Sequence, residues 1–493
     1  MGERLRVIGR FLTELSKNAA YGLIFGKFLK REGGARLLTS SETSSLLSPR
    51  NTGLLIDGQD GRLSERESFQ NVCVVARVGA GKTSRYIIPN VLDRAKRNCS
   101  IVVNDPKGEV FAETSGYLQS RGFKVIAINP EDLDQSSRFN PLLEARTDIE
   151  IEQIAEILVK AGAGNSKDGQ FWEQGATRLV SVLLKLLQRA GHVDPSYYTL
   201  GNLYHLLQNF GQDGSPLDDF VIKWAYDPTD PDEASLWEEW KGAVTGNQNA
   251  VQSFALTALT ALKAFTNKNL IELTAYSSFS LESIRHEKTA VYFITPPHLA
   301  EYYGFWTSVF FRSVFNASMR KMPDRNTLPL YILYDEFGHS TIPSFVSVAN
   351  TIRGYKVSLS IVLQSLAQLS ARYDKEYAQS IQGGFTTYLC YSGSDQETAR
   401  FFEAIAGKVI EVRRDKIEDI TQQRHEYNLL PADAVRRLGD QQALLVSANK
   451  NPAIIETRGY FQIRKLARIP KRYGTAYLGN SQDTGTIKRV PLQ

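Results

Sequence analysis

The chain has 493 residues, 42% of them hydrophobic and 23% charged, with a net charge of +5. That balance excludes wholesale disorder and a fibrous repeat, and the length suits two or three structural units. Three cysteines (Cys73, Cys99, Cys390) without CxxC or Cys/His spacing, and six scattered histidines, exclude a disulfide framework and a structural zinc site and point to a reducing compartment.

The first element is a basic amphipathic segment. Leu5, Ile8, Leu12, Leu15 and Ala19 share one helical face, with Arg6, Arg10 and Lys17 opposite. Such a face suits an anionic membrane surface, the chain's own body or a neighbouring subunit equally well. The apolar run "NAAYGLIFG" (18–26) has nine residues, against about twenty needed to span a bilayer. A Ser/Thr-rich linker follows at 37–53.

Continuous apolar strands then alternate with helical stretches: "NVCVVA" (71–76), "SIVVND" (100–105) and "KVIAIN" (124–129). This pattern predicts a parallel sheet covered on both faces. From 148 to 286 the strand signal gives way to helical patterns, broken by "AYDPTDPDEAS" (225–235), which predicts an all-helical insertion. The insertion is acidic: residues 144–240 hold 17 Asp/Glu against 7 Lys/Arg. Faces meeting different partners and ordinary solvated charge both account for that asymmetry. Strands return at "TAVYFIT" (289–295), "LYILYDE" (330–336), "VSLSIVLQ" (357–364) and "TTYLCYSG" (386–393). Residues 408–425 are charged and weakly patterned and suggest a strand followed by a mobile loop, and the basic tail beyond about 470 reads as poorly ordered.

The chemistry concentrates after the first strand. The phosphate-binding pattern G-x-x-x-x-G-K-[ST] fits "VVARVGAGKTS" (74–84) through Gly81, Lys82 and Thr83, with Ala76 where its first glycine belongs. A Gly-Lys-[Ser/Thr] tripeptide arises by chance in roughly one chain in four of this length. Here, however, it ends a strand and opens a helix, which aims backbone N–H groups at phosphates. The loop Gly79, Ala80, Gly81, Lys82, Thr83, Ser84 is therefore the expected ATP cradle, with Lys82 reaching the β/γ-phosphates and Thr83 offering its hydroxyl to Mg2+. "LYILYDEFG" supplies the other half: Asp335 for the metal and Glu336 to activate the attacking water. Gln364, ending the next strand, is placed to sense the γ-phosphate.

With these residues in place, the sequence resembles the type IV coupling proteins, the TraG/TraD-like conjugative DNA-transfer ATPases of type IV secretion systems. The resemblance runs from about 70 to 465. It is carried by "VVNDPKGEVFAETSGYLQSRGFKVIAINP", "RFNPL", "FWEQGATRLVSVLLKLL", "LYDEFGHSTIPSFVSVANTIRGYKVSLSIVLQSLAQLSARY" and "LLPADAVRRLGDQQALLVSANKNPAI". It implies a RecA-like P-loop nucleotide-binding domain with a parallel-sheet core (51–147 and 287–465) and an inserted all-α domain (148–286). An N-terminal segment (1–50) and a basic tail (466–493) flank them. It also implies a homo-hexameric ring with ATP between subunits and DNA in a central pore. The motif Asp105-Pro106-Lys107-Gly108-Glu109 would lie beside the nucleotide, and Arg353 would reach a neighbour's ATP as an arginine finger. Three departures stand out: Ala76, a stretch "DEFGHSTIP" (335–343) one residue short of the common form, and no N-terminal transmembrane pattern.

The expected activity is ATP-driven DNA translocation, with type IV secretion or relaxosome proteins as partners. The expected location is cytoplasmic, with peripheral contact at the inner membrane face through residues 1–37. Two alternatives remain open: an ATPase adaptor recruiting protein cargo through the acidic helical region, and a cytosolic DNA pump unconnected with secretion.

Overall fold

The computed structural model describes residues 29–163, 170–225, 233–413, 423–479 and 487–492. The amphipathic face from Leu5 to Ala19 lies outside them, as do residues 226–232 of the Pro/Asp-rich loop and 414–422 of the weakly patterned stretch.

Twelve strands are described: β1 (Leu29–Gly34), β2 (Val72–Val75), β3 (Ser100–Asn104), β4 (Lys124–Ile128), β5 (Thr289–Phe293), β6 (Leu330–Tyr334), β7 (Val357–Leu363), β8 (Thr387–Tyr391), β9 (Lys408–Arg413), β10 (Gln423–Asn428), β11 (Gln442–Ser447) and β12 (Ala453–Glu456). Nine form one sheet in the order β12-β11-β8-β2-β7-β6-β3-β5-β4. From β8 to β4 every pairing is parallel, while β11 and β12 add an antiparallel edge. Strands β2, β3, β5, β6, β7 and β8 are buried at every position, which is why their sequences are predominantly apolar, with the serines of β7 (Ser358 and Ser360) buried as well. The remaining three, β1-β9-β10, make a small antiparallel sheet of charged sequence.

One face of the large sheet is covered by the helices Ile88–Arg94 and Glu109–Ser120, with Leu54, Ile56 and Leu63 from the preceding loop. The other packs against the helix Gly304–Met319, where Phe293 stacks on Phe310 with centroids 4.6 Å apart. That second core runs on without a break into the helices between Asp148 and Leu273, centred on Leu179, Leu183 and Leu186 of Gln170–Val193. A Cβ on Gly162 would fall 2.2 Å from the Ala261 carbonyl oxygen, so glycine there sets how closely the helices Asp148–Ala163 and Gln248–Ala261 approach.

The described part of the tail departs from the expected disorder. The helix Arg464–Tyr473 lies along Glu109–Ser120, and Ala476 N–H donates to Ser115 Oγ at 2.9 Å. Farther on, Asn202 accepts from Val490 N–H at 3.1 Å and donates to the Lys488 carbonyl at 3.0 Å, while the Val490 side chain is buried. A few apolar residues (Leu466, Ala476, Val490) inside a polar composition hold it down.

Candidate nucleotide site

The sheet order places β7 between β2 and β6, so the loop after β2, Gln364 after β7 and Asp335-Glu336 after β6 emerge side by side at the carboxyl ends of parallel strands. Ligand crevices form at such ends because the loops diverge there and helix N-termini point inward.

Ala76 is a continuation of the strand rather than part of the turn. Its N–H donates to the Leu363 carbonyl at 3.0 Å, it is fully buried, and its φ is not positive. Glycine's freedom is therefore not needed at this position. It is needed at Gly79 and Gly81, whose φ values are +77° and +81°. No atom lies within 4 Å of a Cβ built on Gly79, so the requirement there is conformational. Ala80 turns its side chain into the core, and its N–H donates to the Arg77 carbonyl at 3.1 Å. Ser84 Oγ donates to the Gly81 carbonyl at 3.1 Å. The helix begins at Thr83 with a π-helical turn, Thr83–Ile87, closed by Ile88 N–H on the Thr83 carbonyl. Pro89, which has no N–H to donate to an ordinary helical turn, follows directly on this widened one.

Opposite the loop, Asp335 Oδ2 accepts from Thr83 Oγ1 at 2.7 Å. Glu336 Oε1 lies 2.6 Å from Lys82 Nζ, and its Oε2 accepts from Gln364 Nε2 at 2.9 Å. His339 Nε2 stands 3.5 Å from the same Oε2. Glu336 has φ +53°, a left-handed conformation that an ordinary side chain adopts at a cost and that recurs at functional sites. Burial pushes the Asp335 carboxyl up to about 6 against the Thr83 hydrogen bond, with the Glu336 charge adding to the rise. Burial acts on Glu336 in the same direction, but His339, Lys82 and Gln364 together outweigh it and bring its pKa down to about 2. Glu336 is thus held as a carboxylate beside a group that is readily protonated.

These residues line a cavity of about 560 Å³. Asp105, Pro106, Lys107 and Glu109 form a further wall, where the resemblance implied they would be. Two wall residues had no role from sequence alone. Asn104 Nδ2 donates to the Asp335 carbonyl at 2.7 Å, while its Oδ1 is buried without a partner. His339, exposed, touches Glu336. The signal for Asn104 was its place at the polar end of a buried strand. Arg353 is not brought to this cavity: it is exposed and precedes β7, whereas Gln364 follows it, and seven residues at roughly 3.3 Å each separate the two ends by about 20 Å.

The donor set fits Mg2+ with a triphosphate. A hydroxyl and a carboxylate already in contact, with an unpartnered amide oxygen nearby, are hard oxygen donors. Among the described residues no group of three or more His, Cys, Asp or Glu could hold a metal alone, so phosphate oxygens and water would complete the shell. Among the same residues, no helix is long and apolar enough to cross a membrane.

Comparison with known proteins agrees with this architecture. VirD4 of Rhizobium radiobacter is 23% identical over 418 residues, covering 81% of this chain and 58% of that protein. VirD4 of Rhizobium rhizogenes is 24% identical over 415 residues, covering 80% and 59%. The chain thus spans under three fifths of the length of these curated relatives. Among solved structures, the bacterial conjugative coupling protein TrwBdeltaN70, in complex with sulphate, superposes with a TM-score of 0.68 at 16% identity, covering 93% of this chain and 97% of that one. TrwB in complex with ADP and Mg2+ gives 0.66 at 15% over the same shares. At these identities the likeness establishes a shared α/β fold. The family model for type IV secretory system conjugative DNA transfer matches residues 41–480. The chain belongs to that family.

Proposed function

We propose that this protein is an ATP-driven DNA translocase of the coupling type, moving DNA, alone or with bound protein, toward a secretion or conjugation channel. The observation that carries the reading is the convergence of Lys82, Thr83, Asp335, Glu336 and Gln364 from three adjacent strands on one cavity. Membership of a conjugative DNA transfer family supports the cargo. TrwB's complexes with ADP and Mg2+ and with a non-hydrolysable ATP analogue support the nucleotide.

In this reading the loop from Gly79 to Ser84, Ala80 included, binds the phosphates, and Lys82 exchanges Glu336 for them. Thr83 and Asp335 hold Mg2+, which when bound neutralises phosphate charge. Glu336 orients the attacking water and takes its proton, while Gln364 keeps the Glu336 carboxylate in place. Arg353, remote from its own chain's cavity, acts on a neighbour's site in a hexameric ring. The nucleotide-binding unit comprises 51–147 and 287–465, the all-α unit 148–286, with flanks 1–50 and 466–493. Relaxosome or secretion proteins are the partners. The site of action is cytoplasmic, with peripheral membrane contact through 1–37.

One observation favours the adaptor as a second reading. The helical region carries a cavity of about 690 Å³ lined by Glu152, Glu156, Glu173 and Glu239 together with Lys160 and Arg178, beside exposed Phe171 and Trp172. Glu152 and Glu239 already pair with Lys185, and Glu156 with Lys160, so a protein segment that offers apolar side chains and both signs of charge suits such a surface.

Steady-state ATP hydrolysis with and without single- and double-stranded DNA tests the proposal, with Lys82→Ala and Glu336→Gln as controls. DNA stimulation lost in both variants is the expected result. Hydrolysis indifferent to DNA would transfer the assignment to the adaptor.

A further inference from the structure

We infer that Phe461 is the platform on which the base of the bound nucleotide stacks; the inference rests on the nucleotide-binding reading above. The cavity lined by Gly79, Gly81, Lys82, Thr83 and Ser84 extends to Tyr460 and Phe461 in the segment after β12. A triphosphate seated on the loop leaves its base to be housed along the same cavity. Phe461 is 61% exposed, a large apolar ring left open in the wall of the crevice and carried by a segment separate from those of Lys82, Asp335 and Glu336. Aromatic faces in such a position bind heteroaromatic rings by stacking.

The ring is held in place. Arg458 N–H donates to the Asp57 carbonyl at 3.0 Å, Gly459 N–H to Gln462 Oε1 at 3.0 Å, and Gln462 N–H to the Gly459 carbonyl at 2.9 Å. A Cβ on Gly459 would fall 2.7 Å from the Phe461 ring, so glycine there leaves the ring room to lie against the turn. Tyr460 packs edge-on against Phe461, centroids 5.8 Å apart at 80°, with its own ring set on the core and its hydroxyl engaged by Glu113. The helix Arg464–Tyr473 then ties the segment to Glu109–Ser120. Of the nearby polar groups, Lys107 and Glu109 are exposed and long, and Glu113 is engaged by the Tyr460 hydroxyl, so no free donor–acceptor pair among them is set to read a base edge. Stacking alone is tolerant, because every base has a π-face. The subsite therefore takes adenine and guanine alike.

Equilibrium binding of ATP, GTP and inorganic tripolyphosphate, each with Mg2+, to the full chain and to Phe461→Ala, Phe461→Trp and Lys82→Ala tests this. Phe461→Ala should weaken ATP and GTP by a similar factor, about tenfold, leave tripolyphosphate unchanged, and be rescued by Phe461→Trp. Equal weakening of tripolyphosphate would make Phe461 a structural residue. Unchanged nucleotide binding would place the base elsewhere. Either overturns the inference. Lys82→Ala should weaken all three ligands. Its failure to do so would sink the nucleotide site itself, separately from the platform.

Discussion

Lys82 and Glu336 form an ion pair of 2.6 Å across two adjacent strand pairings, both side chains largely shielded from water. The cation expected to bind phosphate is therefore already spent on the carboxylate expected to activate water. Nucleotide must draw Lys82 away, which leaves Glu336 to Gln364 and His339. Glu336→Gln removes the competing charge while keeping the shape. ATP should bind this variant more tightly, roughly tenfold, while turnover falls by about 10²-fold or more. Equilibrium binding and turnover on the same preparation check both halves. Weaker ATP binding by the variant would show that the pair does not compete with phosphate.

Asn104 makes a second, less obvious contribution. Its amide hydrogen bond to the Asp335 carbonyl fixes where β6 ends, and its Oδ1, on a residue of the same cavity wall, is buried without a partner. Asn104→Ala leaves that carbonyl unpaired in a buried place, at a cost of about 1–3 kcal/mol. The expected outcome is a lower melting temperature together with a raised Mg2+ requirement for hydrolysis. A stability loss with an unaltered Mg2+ titration would reduce Asn104 to a purely structural residue.

How much of this was legible in the sequence follows from what each element buries. Strands β2, β3, β5, β6, β7 and β8 announce themselves because both faces are covered and the residues are predominantly apolar. The small sheet β1-β9-β10 does so only in part: a strand was readable at the start of 408–425, where β9 lies, but "LKREGG" and "QRHEYN" are charged, and β1 pairs with a strand nearly four hundred residues away. The edge hairpin β11–β12 was also missed, and on β12 burial alternates, so only half its residues are apolar by necessity. At the site, loop and carboxylates were readable because their chemistry fixes residue type and spacing. Asn104 and His339 were not, because their roles arise from strand order and from the turn after Glu336. The substitution of Ala76 became intelligible only once its φ and its bond to Leu363 were known.

Arg353 and Gln364 cap opposite ends of β7, so they cannot serve one nucleotide within one chain. If Arg353 acts between subunits, Arg353→Ala should abolish hydrolysis while leaving ATP binding intact. Mixing it with Lys82→Ala, which is defective in its own cradle but keeps its arginine, should then restore partial activity. Neither variant alone should recover at any concentration. Mixtures no more active than their components would remove Arg353 from catalysis.

Asp105 carries a pH signature of its own. Burial raises its carboxyl to about 7, only partly offset by the N–H groups of Phe111 and Val110, with the Asp335 charge adding to the rise. In the unfolded chain the same group titrates near 3.9. Between these values the folded protein holds a proton that the unfolded chain has released. The group's contribution to stability is therefore full below about pH 4 and is lost as pH rises through 7. Asp105→Asn keeps an acceptor for Phe111 N–H and cannot ionise, so it escapes that loss. The variant should gain on wild type between pH 5 and 8 by on the order of 2 kcal/mol, read from nucleotide-free melts. Asp335 titrates in both proteins and largely cancels in the difference. Parallel stability curves across that range would show that the Asp105 carboxyl is not held protonated by its burial.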